Sequence, residues 1–299
     1  MIVTLLVSII MPTYNRAGYI LETIESIRNQ TYANWELIIV DDGSDDNTEE
    51  IVAGLQDPRI KFYREQKTGN GSRLKNIGLK KASGNLYAFI DSDDIWAPEK
   101  LELQVNALLE HPEAGFCLTG GFNFYKAFEP FEYFYKEREG EKIGRLFESF
   151  FTSELPGFTQ ALLLRKECVK VTGFFREEKS FADLDFIVFL AYHFTGVIIF
   201  KPLFYRRLHS NNHSNSNWEK GYYNGIDIIQ SYKKNQLVDN RLAKQSLFNL
   251  YINFGEDCLN HRQRKKAIHH FFNAWKNKPF SITPWRKTAK SLLHLFKNS

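Results

Sequence analysis

The sequence predicts an α/β fold: a mostly parallel sheet flanked by helices, followed by an α-helical extension at the C-terminal end. Two observations support this fold class. Four short apolar stretches alternate with helical patterns over residues 1–112, and strands that alternate with helices form parallel sheets. From Trp218 onward, apolar residues recur with helical spacing.

The elements of the first 112 residues follow each other regularly. Strands are predicted at residues 2–11, 35–40, 60–64 and 86–90, and helices at 18–30, 47–55, 72–82 and 98–111. Asp46 and Glu49 have the spacing of a capping box for the second helix. Further along the chain, strands are expected at 115–125, 161–165 and 197–206 and a helix at 181–194, while residues 126–142 indicate a loop or hairpin.

The composition is typical of a soluble globular protein of 299 residues, of which 43% are hydrophobic. Cys117, Cys168 and Cys258 are far apart, which argues against a disulfide framework and against a zinc site. The first eleven residues lack a basic segment and are followed by Pro12, so we expect neither a signal peptide nor a transmembrane helix. We therefore expect a cytoplasmic protein.

The charge is distributed unevenly along the chain. Residues 259–299 contain ten Lys or Arg and no Asp or Glu, which leaves −6 for the preceding 258 residues because the whole chain carries +4. Several aromatic residues lie among the basic ones. Such a tail is either an ordinary solvated helical surface or a surface for peripheral contact with an anionic membrane.

Polar clusters follow three of the first four predicted strands: Pro12 to Asn15, Asp41 to Ser44 and Asp91 to Asp94. Ligands bind at the carboxyl ends of the strands in open parallel sheets, so we expect these clusters to meet at one edge. Carboxylates that lie close together repel each other and require protons or a cation. Oxygen ligands without nearby cysteine favour Mg²⁺ or Mn²⁺.

Two stretches, VSIIMPTYNRAGYILETIESIRNQTYANWELIIVDDGSDDNT and NIGLKKASGNLYAFIDSDDIWAPEKL, resemble the nucleotide-binding half of the family 2 glycosyltransferases, which have the GT-A fold. The resemblance implies a metal-dependent, inverting transfer of a sugar from a nucleoside diphosphate donor to an acceptor hydroxyl. It also implies a domain division. Residues 1–215 would form the GT-A catalytic domain, with a nucleotide-binding half at 1–112 and an acceptor half at 113–215, and residues 216–299 would form the basic helical extension.

The same resemblance assigns roles to individual residues. Asp42 matches the residue that reads the base, and Lys75 stands where the family usually has Arg. The DSD sequence matches the DXD motif, in which Asp91 and Ser92 would contact the donor and Asp91 and Asp93 the metal. The first nucleotide-contacting loop is matched by Pro12, Thr13 and Tyr14.

The catalytic base and a further metal ligand are expected in the acceptor half. SFADLDFIVFLA resembles the segment that carries the base, which makes Asp183 the candidate, although Ala182 replaces the usual Glu. PLFYRRLHSNNHS resembles the strand and loop that end in a metal-contacting histidine, here His209. Asp183 could instead cap its helix together with Ser180, in which case Asp185 is the alternative base.

The implied partners are a nucleoside diphosphate sugar and a glycan or lipid-linked glycan acceptor, as in bacterial surface polysaccharide or glycolipid synthesis, and no nucleic acid. The implied cofactor is Mn²⁺ or Mg²⁺. Two other functions remain open. A nucleotidyltransferase would want a phosphate loop rich in glycine and arginine, which MPTYNRAG does not supply. A non-catalytic module that binds a nucleotide sugar or a glycan could keep Asp42 and Asp93 without needing Asp183.

Overall fold

The computed structural model describes residues 5–125, 129–137, 139–178, 182–209 and 218–288. The chain forms two compact units, which we treat separately. Unit 1 comprises Met1–Phe147 and Pro156–Asn212, and unit 2 comprises Glu148–Leu155 and His213–Ser299. The short segment 148–155 thus belongs with the C-terminal helices, whereas our sequence-based division places it with the sheet.

Unit 1 is an α/β structure. The strands and helices that the sequence predicts are present, but the first strand begins at Val7 instead of residue 2, and the short strand Ile95–Trp96 and the helix Lys166–Thr172 are not predicted. Its strands are β1 (Val7–Thr13), β2 (Trp35–Asp41), β3 (Ile60–Arg64), β4 (Leu86–Phe89), β5 (Ile95–Trp96), β6 (Ala114–Phe124), β7 (Pro130–Tyr133), β8 (Glu141–Gly144), β9 (Leu162–Arg165) and β10 (Thr195–Arg207). Its helices are α1 (Ile20–Arg28), α2 (Thr48–Ala53), α3 (Gly71–Lys81), α4 (Lys100–Glu110), α6 (Lys166–Thr172) and α7 (Ala182–His193), and α5 (Phe147–Phe151) begins at the boundary between the units.

All ten strands form one sheet in the order β3-β2-β1-β4-β9-β6-β10-β5, with β7 beside β6 and β8 beside β10. The strands β3, β2, β1 and β4 are parallel, as predicted, with Val7 opposite Trp35 and Thr13 opposite Asp41. β9 then enters antiparallel to both of its neighbours, β4 and β6. It therefore joins the first half of the sheet to the second, in which β6 and β10 are again parallel.

Two local predictions turn out differently in the structure. The expected capping box at α2 does not form, because Asp46 Oδ1 accepts from the Thr48 backbone N–H and Asp46 Oδ2 accepts from the Ala17 N–H at 3.0 Å. The region 126–142 contains the two short strands β7 and β8. Phe181, the expected start of the base helix, and Ser180, its expected cap, lie outside the described residues.

The helix α3 lies unusually close to β1. A Cβ atom placed on Gly78 would lie 2.5 Å from Ile10 Cγ2, so a larger residue could not occupy this position without displacing the helix. The side chain of Asn70 caps the helix by accepting from the Arg73 N–H. This close packing fixes the height at which Lys75 and Asn76 stand above the sheet.

Among its described residues, unit 2 contains the helices α8 (Trp218–Lys234), α9 (Asn240–Asn260) and α10 (Arg264–Asn277), and residues 283–288 are helical as well. Phe254 and Phe271 are fully buried at the centre of their core. The segment 148–155 is attached to α9, because Ser246 Oγ donates to the Phe151 carbonyl and Asn249 Nδ2 donates to the Thr152 carbonyl. These two hydrogen bonds explain why the segment belongs to unit 2.

A buried carboxylate on β2 links three elements of the sheet. Glu36 Oε1 accepts from Ser8 Oγ at 2.6 Å and from the Ser83 N–H at 2.7 Å, while Glu36 Oε2 accepts from Lys61 Nζ at 2.7 Å. Burial by itself raises the pKa of Glu36, but the hydrogen bonds from Lys61, Ser8 and Ser83 outweigh it and lower the pKa to about 2. The charged form of Glu36 is therefore stabilised in the folded protein.

We expect Glu36→Ala to lower the free energy of unfolding by about 3 kcal/mol at pH 7, because the buried hydroxyl of Ser8 and the donors of Ser83 and Lys61 would lose their charged acceptor. Since the folded pKa is depressed, the contribution of Glu36 is present above its ordinary pKa of 4.5 and is lost as the pH falls towards about 2. Urea denaturation at pH 7 and at pH 3 measures both effects.

The matched control is Glu25→Ala, which removes an exposed ion pair with Arg28 on α1 and should change stability by less than about 1 kcal/mol. An equal loss in the two variants, or a difference between wild type and Glu36→Ala that does not shrink at low pH, would contradict this account of the β2 carboxylate.

Candidate active site

The carboxyl ends of β1, β2 and β4 meet at one edge of the sheet, as the parallel register requires. The backbone connects the first two ends directly, because the Asp42 N–H donates to the Thr13 carbonyl at 2.9 Å. The Ile90 N–H continues the pairing of β4 by donating to the Ile10 carbonyl. The structure thus brings the three predicted polar clusters together.

The first loop presents an aromatic ring and a basic side chain at this edge. Pro12 pairs with Val40 inside the sheet. Thr13 is buried, and within the described residues its hydroxyl has no hydrogen-bond partner. The Lys67 ammonium lies 4.3 Å from the centre of the Tyr14 ring and donates to the Tyr14 hydroxyl. Tyr14 and Lys67 therefore stand side by side at this edge of the sheet.

Asp42 anchors the loop that leads into α3. Its Oδ1 accepts from the Thr68 N–H at 2.8 Å and its Oδ2 accepts from the Gly69 N–H at 2.7 Å. The turn after β2 is stabilised by Asp41, which accepts from the Ser44 N–H. The side chain that stabilises the turn is therefore that of Asp41, whereas the carboxylate of Asp42 faces residues 68 and 69.

Asp93 is the most strongly contacted carboxylate after β4. Its Oδ2 accepts from Arg16 Nε at 3.0 Å and lies 3.0 Å from His209 Nε2. The His209 ring in turn stacks on Tyr19, with 4.8 Å between the ring centres. Burial raises the pKa of Asp93, but His209 and Arg16 outweigh this effect and leave the pKa below its usual value.

The carboxyl groups of Asp91 and Asp94, on either side of Asp93, have raised pKa values instead. Burial raises the pKa of Asp91; Lys75 lowers it, and the charges of Asp93 and Asp183 raise it further. Burial and the two neighbouring carboxylates raise the pKa of Asp94 well above its usual value. Asp91 accepts a hydrogen bond from Gln160 Nε2, and Ser92 is buried between the acidic residues.

These residues fit a divalent cation. The carboxyl groups of Asp91, Asp93 and Asp94 raise one another's affinity for protons, so a cation among them would relieve their repulsion. Asp94 Oδ2 is buried and makes no hydrogen bond to any described residue. Carboxylate oxygens suit Mn²⁺ and Mg²⁺. His209 Nε2 lies 3.0 Å from Asp93 Oδ2 and is placed to supply a nitrogen ligand to a cation there.

A second carboxylate, Asp183 at the start of α7, pairs with α3. Lys75 Nζ lies 2.7 Å from both Asp183 Oδ1 and Asp183 Oδ2, and Thr159 Oγ1 donates to Asp183 Oδ2 at 2.9 Å. Lys75 is buried, whereas the Asp183 side chain is 36% exposed. Asp183 is thus fixed in orientation and still accessible to a reactant.

Asp185, the alternative base, has different surroundings. Its side chain is only 5% exposed, and Arg176 Nε lies 3.3 Å from its Oδ2. Asp183 shares Lys75 with the acidic cluster, because the charges of both Asp183 and Asp91 act on the Lys75 ammonium. Asp183 is therefore the more accessible of the two carboxylates.

Several residues of the site carry no clear sequence signal. Arg16 follows the first loop directly and could have been suspected from its position, whereas Thr159 and Gln160 lie in a segment without periodicity. Asn76 lies next to Lys75 in the stretch that resembles the family, but the sequence predicts no role for it. Its amide accepts from the Phe175 N–H and donates to the Phe175 carbonyl, each at 2.9 Å. Asn76 thereby fixes the loop that precedes α7.

A separate cluster of metal-ligand type lies at the end of α4. One ligand atom from each of Glu110, His111 and Glu141 lies within 4.8 Å of the others. The two glutamates are exposed, and none of the three residues belongs to the predicted site. This cluster is therefore distinct from the acidic cluster after β4.

Large apolar side chains of unit 2 are exposed next to basic residues. Phe280 is fully exposed, and Ile282 and Trp285 are more than half exposed. Lys276 Nζ lies 4.7 Å from the centre of the Phe272 ring. Residues 289–299 of the predicted basic tail lie outside the described residues. Among the helices within the described ranges, none combines the length and the apolar character that crossing a bilayer requires.

Solved structures with a similar fold contain bound nucleotide sugars. S. aureus TarS 1-349, solved with UDP-GlcNAc, has a TM-score of 0.66 at 19% identity and covers 95% of this chain and 88% of its own. The mannosyltransferase PcManGT of Pyrobaculum calidifontis, solved with GDP-Man and Mn²⁺, has a TM-score of 0.61 at 17% identity and covers 98% and 81%. At these identities the likeness establishes the fold.

Curated relatives match a shorter part of the chain more closely. The UDP-Glc:alpha-D-GlcNAc-diphosphoundecaprenol beta-1,3-glucosyltransferase WfgD of Escherichia coli is 47% identical over 106 residues, which are 36% of this chain and 42% of WfgD. The putative teichuronic acid biosynthesis glycosyltransferase TuaG of Bacillus subtilis (strain 168) is 38% identical over 117 residues, 38% of this chain and 46% of TuaG. The chain thus spans less than half the length of these relatives.

The family assignment rests on a longer match. Residues 8–168, more than half of the chain, match the model of Glycosyl transferase family 2. This range includes β1 to β9 and the acidic cluster after β4. The chain therefore belongs to glycosyl transferase family 2, and its unit 1 has the GT-A fold.

Proposed function

We propose that this protein is a metal-dependent, inverting glycosyltransferase that moves a sugar from a nucleoside diphosphate to a hydroxyl of a glycan or lipid-linked glycan. The observation that carries the proposal is the shared ammonium of Lys75, which pairs with Asp183 and lies within the field of Asp91. A base thereby stands beside a cation-binding cluster, the arrangement that a single displacement on a sugar diphosphate requires.

The donor is proposed to lie along the edge formed by β1, β2 and β4. Pro12, Thr13 and Tyr14 would contact the nucleotide, and Asp42 would recognise the base from a position fixed by Thr68 and Gly69. Support comes from the donors named for similar proteins, UDP-Glc for WfgD and UDP-GlcNAc for the TarS structure. The GDP-Man structure of PcManGT makes a guanosine donor a necessary comparison in any screen.

The metal ligands are proposed to be Asp91, Asp93 and His209, with Ser92 beside the donor. Mn²⁺ or Mg²⁺ bound there would offset the negative charge that grows on the departing diphosphate. Arg16 supplies a second positive group, since its Nε already donates to Asp93 Oδ2. The pKa of Asp93 lies below its usual value, so this residue is ready as an anionic ligand near neutral pH.

The base is proposed to be Asp183, and its hydrogen bonds indicate which atom would accept the proton. A carboxylate has about four lone-pair positions. Asp183 Oδ2 accepts from both Lys75 and Thr159, whereas Oδ1 accepts from Lys75 alone among the described residues. We infer that Oδ1 takes the proton of the acceptor hydroxyl while Lys75 and Thr159 hold the group in place.

An acceptor linked to a lipid would bring the protein to a membrane. Support comes from the lipid-linked substrate in the name of WfgD and from the exposed side chains of Phe280, Ile282 and Trp285 beside a basic segment. We propose that the part of residues 259–299 that carries these side chains makes reversible contact with an anionic membrane, at the inner face of the cell membrane.

Asp93→Asn should weaken the Mn²⁺-dependent binding of UDP or GDP by about 10-fold or more, because one charged ligand is lost from the cation. The free energy of unfolding should fall as well, because Arg16 and His209 lose their charged partner, so binding is compared at a temperature at which both forms are shown to be folded. Calorimetric titration with and without Mn²⁺ measures the affinity. The control is Asp239→Asn at the cap of α9, and equal binding by Asp93→Asn and the control would exclude the proposed metal site.

Asp183→Asn should lower turnover by about 100-fold or more while leaving donor affinity within about 2-fold, because a general base acts in the chemical step. Turnover is measured as Mn²⁺-dependent release of nucleoside diphosphate from UDP-GlcNAc, UDP-glucose or GDP-mannose. Asp185→Asn is the matched comparison. If Asp185→Asn shows the large loss and Asp183→Asn does not, the roles are exchanged, and if neither loses turnover, the base is another residue. A wild type that binds the donor without turnover would make a binding module the better description.

Substituting serine for Lys276, Lys278 and Arg286 should reduce co-sedimentation with phosphatidylglycerol vesicles by about 10-fold or more, because each basic residue near an anionic surface contributes about 1 kcal/mol. Serine at Lys233, Lys234 and Lys244 on α8 and α9 removes the same charge and serves as the control. Pelleting with neutral phosphatidylcholine vesicles as strong as with anionic ones, or equal losses in both variants, would argue for an ordinary solvated surface.

A further inference from the structure

A single 3-10 turn, Thr159–Ala161, reaches both halves of the proposed reaction centre. The turn is buried and immediately precedes β9. Its own position is fixed by the sheet and by α4, because Gln104 Nε2 donates to the Ala161 carbonyl at 2.9 Å and to the Cys117 carbonyl at 3.0 Å. The side chains of Thr159 and Gln160 are therefore presented from a rigid base.

Thr159 connects the Lys75 ammonium to Asp183. Lys75 Nζ donates to Thr159 Oγ1 at 3.2 Å, and Thr159 Oγ1 donates to Asp183 Oδ2 at 2.9 Å. A hydroxyl group can donate one hydrogen bond and accept another at the same time, so Thr159 can make both hydrogen bonds together. Thr159 thereby determines the rotation of the Asp183 carboxylate and leaves Oδ1 to the reactant.

Gln160, the next residue, faces the other carboxylate. Its Nε2 donates to Asp91 Oδ2, the group that we propose as a metal and donor ligand. An amide donor stabilises the charged form of a carboxylate without adding net charge to a site that must also accept a cation. Gln160 thereby orients Asp91 in the way that Thr159 orients Asp183.

We propose that the turn Thr159–Ala161 is a positioning element with two separate tasks, in which Thr159 orients the base and Gln160 orients the first carboxylate of the metal site. This inference rests on the proposed glycosyl transfer and adds two residues to it. Neither residue touches the reacting atoms; each acts through the carboxylate that it holds.

If Thr159 and Gln160 have separate tasks, their variants should differ in a way that a purely structural role of the turn does not predict. A turn that only stabilises the fold would lose donor binding and turnover together when either residue is changed. Two separate tasks predict that Thr159 variants lose turnover at unchanged donor affinity, whereas Gln160 variants lose metal-dependent donor affinity at unchanged turnover under saturating donor. Because Thr159 and Gln160 are adjacent in the same turn, each variant serves as a control for the other.

The experiment compares Thr159→Val, Thr159→Ser and Gln160→Leu in the full chain. Thr159→Val should lower the release of nucleoside diphosphate by about 10-fold, because one hydrogen bond to a charged group is lost, and Thr159→Ser should restore it to within about 3-fold. Gln160→Leu should weaken Mn²⁺-dependent binding of the donor by about 10-fold for the same reason. Calorimetry gives the affinity, and saturating donor gives the turnover.

Thermal unfolding of each variant is measured alongside. Parallel losses of affinity and turnover in both the valine and the leucine variant, or failure of Thr159→Ser to restore turnover, would overturn the proposal. The proposed function is tested separately by the wild-type chain. Absence of Mn²⁺-dependent donor binding, or of donor turnover, in the wild type would refute the glycosyl transfer itself, whereas a wild type that shows both without the predicted split in the variants refutes only the turn.

Discussion

The whole site depends on one buried positive charge, the ammonium group of Lys75. Burial by itself would lower the pKa of Lys75, but the charges of Asp183 and Asp91 outweigh it and raise the pKa. Asp91 and Asp183 repel each other, because the charge of Asp183 raises the pKa of Asp91, and two like charges about 4 Å apart repel by roughly 4 kcal/mol at an effective dielectric constant of 20. The proposed base can lie next to the proposed metal site because Lys75 compensates both negative charges.

The position of that charge follows from how α3 packs. Gly78 allows the helix to approach Ile10 of β1. Residues at the start and in the middle of α3 then contact the loop that precedes α7. Asn70 Nδ2 donates to the Glu177 carbonyl at the start of the helix, and Asn76 holds the backbone of Phe175. One helix thus connects the edge where the carboxyl ends of β1, β2 and β4 meet with the loop that leads to Asp183.

The first half of the fold could be predicted from the sequence because its strands and helices are short, regular and separated by turn residues. The fold class and the family are both confirmed. The antiparallel insertion of β9 could not be predicted, since it depends on pairing with strands far away in sequence. The same holds for the pair between Lys75 and Asp183, which are 108 residues apart. Local spacing carries no information about such contacts, and for Asp46 it indicated a capping box that a backbone donor from Ala17 displaces.

The place of β9 also has a consequence for synthesis of the chain on the ribosome. β4 is paired with β1 on one side, and its other side is completed by Leu163 and Leu164 of β9. Until that later segment has emerged, the strand Leu86–Phe89 presents free backbone donors and acceptors and an apolar surface, which are the properties of an edge prone to aggregation. A fragment that ends after α4 would keep this open edge permanently, so residues 1–112 should not behave as an independent folding unit.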